Sequence, residues 1–487
     1  MNPRAQPGRG ANDGSEASVV RRAGRPRRAR RARALLPWLA AVLVLALAGG
    51  AAAAYETGRL HYWFGGDVPS PLVAPVPGFT APPAPTPRPI ARSASSPRPT
   101  AGAVRRALAP ALQDPHLGSL RAVVAPLVGP PVYDVGRGVS MPASTLKLLT
   151  SAAALEALGP DRRFETRVVA ARGKRIVLVG GGDPLLASTQ RTTGPAHGDA
   201  SLQTLARLTA RDLHARGRRS VRLSYDTSLF SGPRVDPHWP KTYLPDVVSP
   251  ITALWADEGR SPAGYGRVPD PPATAAALFA TYLRKDGIRV QPTIGQEHAR
   301  PHARELAHVS SRPLADIVEH VLQVSDNEGA EVLAHHVGLE VEGEGSYAAG
   351  VRGTVATLTG LGLDLRRATL QDGSGLSRHD RLDAETLVRV LQLAASPEHP
   401  ELRSVITGLP VAAYDGSLAD RFGHDSGRGV VRAKTGTLRG TSALAGLTTD
   451  ARGRVLVFAF VGNHVGNTLD AEAALDRLAS ALASCRC

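Results

Sequence analysis

PASTLKLLT, residues 142–150, is the stretch from which the rest of the chain can be read. It continues in leucine and alanine to Leu158 and follows Pro142, a residue suited to a helix start, so the spacing predicts a helix over 144–158. Residues three apart share a helix face, which brings the Ser144 hydroxyl and the Lys147 amine within mutual reach. A serine attacks a carbonyl only when a base takes its proton, and lysine serves only when neutral. Burial and a second nearby cation, expected to be Lys434, would both favour the neutral amine. The chain has five lysines against fifty-three arginines, and arginine keeps its proton at physiological pH, so the positions that retain lysine are informative. Taken alone, this tetrad reads by default as a solvent-facing serine and lysine.

Two later motifs change that. In Ser325-Asp326-Asn327 the outer residues can point into one cleft from an extended or turn segment, Ser325 to pass a proton and Asn327 to hold a substrate amide. The same triplet before EGAEVL is also a good helix cap. Lys434-Thr435-Gly436-Thr437 lies between Val430-Val431 and a further apolar run, as expected of an edge strand. Gly436 lets a peptide backbone approach and add itself to the sheet. Lys434 and the hydroxyls of Thr435 and Thr437 would then receive a terminal carboxylate. The Thr437 and Ser144 N–H groups would form an oxyanion hole. The order S-x-x-K, S-x-N, K-T-G is a known signature of serine acyl transfer.

Outward from these motifs, 487 residues with 43% hydrophobic side chains allow a large core. The formal charge of +15 is concentrated at the start: residues 1–33 hold ten arginines against Asp13 and Glu16. Residues 34–54 then carry no charge and suffice to cross a bilayer. The positive-inside rule explains the basic arm, which lacks interleaved aromatics, so no nucleic-acid partner is expected. A cell-membrane anchor with the body outside is expected, and a cleaved signal peptide is the alternative. Eleven prolines between Pro69 and Pro99 mark residues 55–103 as a semi-rigid linker. Cys485 and Cys487 are the only cysteines and are expected to be free or paired between molecules.

From residue 104 the character changes to strand-like runs such as Arg175–Val179 and Val455–Val461, and helix-like ones such as Leu314–Gln323 and Ala384–Ala394. Their irregular mixing argues for an α/β or α+β protein.

The chain resembles the D-alanyl-D-alanine carboxypeptidase/endopeptidase family, the class C low-molecular-mass penicillin-binding proteins. Beyond the triplet, the resemblance runs through GGGDPLL (180–186), YDTSLFSG (225–232), HWP (238–240), QVSDNEGAEVL (323–333), LQDGSGLSRHDRL (370–382), LPVAAYDGSLADRF (409–422) and VRAKTGTL (431–438), and covers about 104–483. It implies a penicillin-binding, serine β-lactamase-like fold: an antiparallel sheet flanked by helices, a helical subdomain and an inserted domain. The implied division is a catalytic domain of 104–165 and 291–487 with an insert of 166–290. Because Ser144 and Ser325 are 181 residues apart, that insert is shorter than two inserted domains would need. The strand region before Ser144 is also abbreviated.

The resemblance implies Ser144 as nucleophile, Lys147 as base, Ser325 as relay, and Asn327, Lys434, Thr435 and Thr437 as substrate contacts. The implied substrates are peptidoglycan stem peptides, with β-lactams as inhibitors and no metal or organic cofactor. The triplet admits two other readings. A β-lactamase would use a separate glutamate in an E-x-x-L-N context, which is absent; a wall-binding protein without activity would not need the intact triplet. His298 and His302 are separated by Pro301, and His335-His336 lack a carboxylate pattern, so none is expected to bind metal. Asp372 and Ser374 fit the cleft or a turn equally well.

Overall fold

The computed structural model describes residues 98–190 and 200–487. The basic arm, the apolar run and most of the proline-rich segment lie outside the described residues. Among those described, no helix is long and apolar enough to cross a membrane.

Five strands form an antiparallel sheet: β1 (Ser119–Pro126), β2 (Tyr133–Val135), β9 (Arg432–Leu438), β10 (Thr441–Thr449) and β11 (Val455–Asn463), in the order β2-β1-β11-β10-β9. Their side chains alternate between two buried faces, as the period of two requires. Val123, Ala125, Ala443, Ala445, Val457 and Ala459 face one cluster, together with helices Lys147–Leu158 and Ala384–Ala395. Ala122, Val124, Leu444, Phe458 and Phe460 face the other, together with helices Ala101–Leu108 and Thr468–Ala483. Helices on both faces explain why the central strands read as nearly continuous apolar runs. The abbreviated region before Ser144 does form a hairpin, pairing Val124 with Tyr133, but β2 has only three residues.

A second, mixed sheet contains β3 (Glu165–Ala170), β4 (Arg175–Val179), β5 (Ser220–Asp226), β6 (Arg289–Val290) and β8 (Glu305–Ser310) in the order β6-β5-β4-β3-β8, with β7 (Gly295–Gln296) pairing β5. Helices Leu202–Ala215 and Pro271–Lys285 supply its core through Leu205, Leu213, Phe279 and Leu283. This sheet reaches beyond 166–290, because β8 pairs with β3 across the expected junction.

Cys485 and Cys487 are bonded to each other, contrary to the expectation of free or intermolecularly paired thiols. Both are buried in one apolar cluster with Val104, Leu108 and Leu482, which confines the two sulfurs to a common pocket.

Candidate active site

The segment carrying Ser144 is not one continuous α-helix. Residues Ala143–Leu146 form a 3-10 turn and the α-helix begins at Lys147. The tighter turn still brings the Lys147 Nζ to 2.9 Å from the Ser144 Oγ. The helix Lys147–Leu158 runs through the core, and Lys147 itself is 0% exposed.

Ser325 has a left-handed backbone, φ 59°, and Asp326 precedes helix Asn327–Glu342 as its cap residue. The triplet is therefore both a helix start and a bearer of site residues. Asn327 Oδ1 accepts from Lys147 Nζ at 2.8 Å, and Ser325 Oγ accepts from Lys434 Nζ at 2.8 Å. Ser325 thus meets Lys434 directly. The Asn327 amide nitrogen faces the Val247 carbonyl at 3.4 Å.

Lys434 to Thr437 lie on β9, the edge strand expected of them. A Cβ added to Gly436 would stand 2.9 Å from the Pro142 carbonyl and 3.2 Å from the Ser144 nitrogen, so only glycine lets β9 lie this close to the turn. Thr435 Oγ1 is 2.8 Å from Ser417 Oγ, and Thr437 Oγ1 donates to Glu472 Oε1 at 2.7 Å.

The DGSG run closes the floor of the site. The Ser374 carbonyl is the third acceptor for Lys147 Nζ, at 2.8 Å. Glu331 accepts the Gly373 and Ser374 N–H groups and so fixes that carbonyl. Asp372 accepts from Trp239 Nε1 at 2.7 Å and from the Gly375 and Ser377 N–H groups. Gly375 is needed at φ 80°, because a Cβ there would stand 2.0 Å from the Ala143 carbonyl. Asp372 and Ser374 are therefore turn formers and site residues at once.

Burial pushes Lys147 down to about 8, partly opposed by the negative charges of Asp372, Glu331, Asp326 and Glu328. Lys434 falls well below the usual lysine range, through burial and then the charge of Lys147. Desolvation, not the expected charge of Lys434, is what lowers Lys147, and the repulsion between the two amines is felt at Lys434. Burial, and then the Asp372 carboxylate, push Glu331 well above the usual carboxylate range, against the pull of the Gly373 and Ser374 N–H groups it accepts. His335 and His336 are packed core residues held at about 4 by burial, with His336 stacked on Phe164 at 3.9 Å.

Sequence reasoning missed Glu331 as a site residue, although it lies four positions beyond Asn327 on the same helix face. It also missed Ser417 and Glu472, for which no local pattern exists. A groove of about 1820 Å³, lined by residues including Leu127, Arg137, Arg389 and Gln392, contains none of the motif residues. Chemistry rather than volume identifies the site.

A serine hydrogen-bonded to a buried lysine, with an edge strand beside them on an antiparallel sheet flanked by helices, fits the penicillin-binding protein class of serine hydrolases. The chain belongs to the D-Ala-D-Ala carboxypeptidase 3 (S13) family, whose model matches residues 104–265 and 264–483. It is 35% identical over 460 residues to carboxypeptidase DacB of Mycolicibacterium smegmatis, covering 92% of this chain and 96% of that one. The fold matches penicillin binding protein 4 (dacB) of Haemophilus influenzae with a TM-score of 0.65 at 22% identity, covering 77% of this chain and 97% of that one. A structure of the same Haemophilus influenzae protein complexed with a β-lactam matches with a TM-score of 0.59 at 22% identity and the same coverage, 77% and 97%. The protein is a serine-type D-Ala-D-Ala carboxypeptidase, a hydrolase of peptides.

Proposed function

We propose that the enzyme works outside the cytoplasm on peptidoglycan stem peptides ending in D-Ala-D-Ala, and on D-centred cross-links, through an acyl-enzyme on Ser144. The observation that carries this reading is the environment of Lys147 Nζ, which meets Ser144 Oγ, Asn327 Oδ1 and the Ser374 carbonyl at 2.8–2.9 Å. The substrate's terminal carboxylate enters beside Thr435, Thr437 and Lys434. That anion favours the charged form of Lys434, and the new cation in turn favours neutral Lys147.

Neutral Lys147 takes the Ser144 proton as Oγ bonds to the penultimate D-Ala carbonyl carbon. The carbonyl oxygen, now negative, accepts from the Ser144 and Thr437 N–H groups. As the C–N bond breaks, Ser325 gives its proton to the leaving amine and receives one from Lys434 Nζ. D-alanine departs and an ester remains. Water enters where the amine left, gives a proton to Ser325 and thence Lys434, and its oxygen bonds to the ester carbonyl. Lys147 returns its proton to Ser144 Oγ as the ester breaks, which restores every group. Asn327 holds a substrate amide and orients Lys147.

Residues 34–54 are proposed as the membrane anchor, with the peptidoglycan-facing body beyond it, and residues 165–310 as the inserted domain. The segment after Tyr55 should form a stable penicillin adduct on Ser144, found by peptide mass spectrometry and absent from Ser144→Ala. The same protein should release D-alanine from a stem peptide. Rapid penicillin loss without an adduct would replace this reading with a β-lactamase, and neither reaction would leave a wall-binding protein without activity.

A further inference from the structure

Asp326 stands between Ser325 and Asn327, yet its side chain serves neither lysine. It is 6% exposed, and neither carboxylate oxygen has a hydrogen-bond partner. Leaving a buried carboxylate unpaired is costly, so the surroundings matter. A Glu258 oxygen, a His320 ring nitrogen and an Asp326 oxygen all lie within 4.8 Å of one another. His320 Nε2 is also without a hydrogen-bond partner and stands 3.8 Å from Glu258 Oε1.

The neighbouring charges are already matched. Arg260 donates twice to Glu258 Oε2, at 3.1 and 2.6 Å, which orients the carboxylate and leaves Oε1 toward the cluster. Glu328 Oε1 is held by Arg267 Nε at 2.7 Å and by the Ser249 N–H at 3.1 Å. Arg312 adds positive charge near His320. Asp326 is pushed up to about 7 by burial and by the charges of Glu258 and Glu328, and His320 is the positive group that opposes them.

We propose that Glu258, His320 and Asp326 bind one divalent transition-metal ion, such as zinc or manganese, beneath the turn that carries Ser325 and Asn327. One imidazole and two carboxylates are a ligand set these ions accept, with water completing the shell. Two donors each about 2.1 Å from one ion at an open tetrahedral angle are about 3.4–3.8 Å apart, the separation His320 and Glu258 already show. The His320 side chain is 30% exposed, while its Nε2 is enclosed within the cluster. The ion takes no part in bond making. It holds Asp326, and through it the backbone that presents Ser325 to Lys434 and Asn327 to Lys147. Glu258 lies far before His320 and Asp326 in the chain, so no sequence spacing announced the set.

The test uses the full chain without an affinity tag, stripped with chelator and titrated with zinc against a chromophoric chelator. The wild type should take up one equivalent. His320→Gln and Asp326→Asn should each bind about tenfold more weakly or worse. His399→Ala should match the wild type, because it alters only the separate cluster of Glu156, His399 and Glu401. Labelling of Ser144 by a fluorescent penicillin would establish that His320→Gln is folded. If that variant does not fold, the wild type loaded with cobalt decides: visible bands of an ion in a low-coordinate site with nitrogen ligation are expected. A wild type without uptake, a His320→Gln variant binding as tightly, or a cobalt spectrum of the aquo ion would each overturn the proposal.

Discussion

Two lysines lie in the cleft, both 0% exposed, but with different surroundings. Lys147 begins a core helix and has four carboxyl groups near enough to favour its charged form. Lys434 sits on an edge strand, where its shift is governed by burial and by the charge of Lys147. Burial alone would make the two amines alike. The acidic floor makes Lys147 the better proton holder of the empty site, and an incoming carboxylate is the natural means of reversing that bias.

The comparison is tested most severely at Lys147. Lys147→Met should lower acylation by a penicillin about 10⁴-fold, the upper range for losing a general base. Lys434→Ala should lower it about 10²–10³-fold, because it removes a carboxylate partner and proton source but leaves the base. Stopped-flow labelling of both variants measures the difference. Equal losses would mean that the two amines share one role.

The wild-type pH profile sharpens the same distinction. A lysine lowered to about 8 is neutral above that pH, so acylation should fall about tenfold per pH unit below it and level off above it. A limb near the ordinary lysine value would separate Lys147 from the rate-limiting proton transfer.

How far the sequence announced this site depends on where each partner lies along the chain. Ser144 and Lys147 are three residues apart, and the Lys434 motif occupies one strand, so local periodicity brings their members together. The strand Val455–Val461 was likewise legible in its apolar run, whereas the antiparallel sheet was implied only by the resemblance, and β9 as an edge became a fact only through the pairing of β10 with β11. By contrast, Ser374 reaches Lys147 across 227 positions and Glu331 reaches Gly373 across 42. Such contacts depend on the packing of helix Asn327–Glu342 against the DGSG run, and no spacing rule encodes it. The same holds for the second sheet, because β8 is recognisable as part of it only through its pairing with β3.

The closeness of β9 to the nucleophile supplies a further test. Gly436→Ala would place a methyl group against the Pro142 carbonyl and the Ser144 nitrogen, both backbone atoms with little freedom to yield. Displacing the strand by a fraction of an ångström moves Thr437 N–H and Lys434 away from Ser144, and acylation should fall about 10²-fold. Because the Lys147 contacts to Asn327 and Ser374 do not pass through β9, the pH limb should stay near 8. A limb that moves with the rate would show that the strand, not the acidic floor, sets the lysine's proton affinity.

The smallest effect expected is also the most specific. Asp372 is the foremost of the charges favouring protonated Lys147, so Asp372→Asn should move the acid limb to lower pH. Acylation near pH 6.5 should then rise a few-fold while the plateau stays unchanged, since Glu331, Asp326 and Glu328 remain. The exchange also costs stability. Both Asp372 oxygens receive donors, Gly375 N–H on one and Trp239 Nε1 and Ser377 N–H on the other, so an amide must turn its NH₂ toward at least one of them. That mismatch should cost about 1–3 kcal/mol in denaturant unfolding. A faster enzyme at low pH in a less stable protein is a combination that simple damage to the fold does not produce. A limb that stays in place or moves upward would remove the acidic floor as the source of the difference between the two lysines.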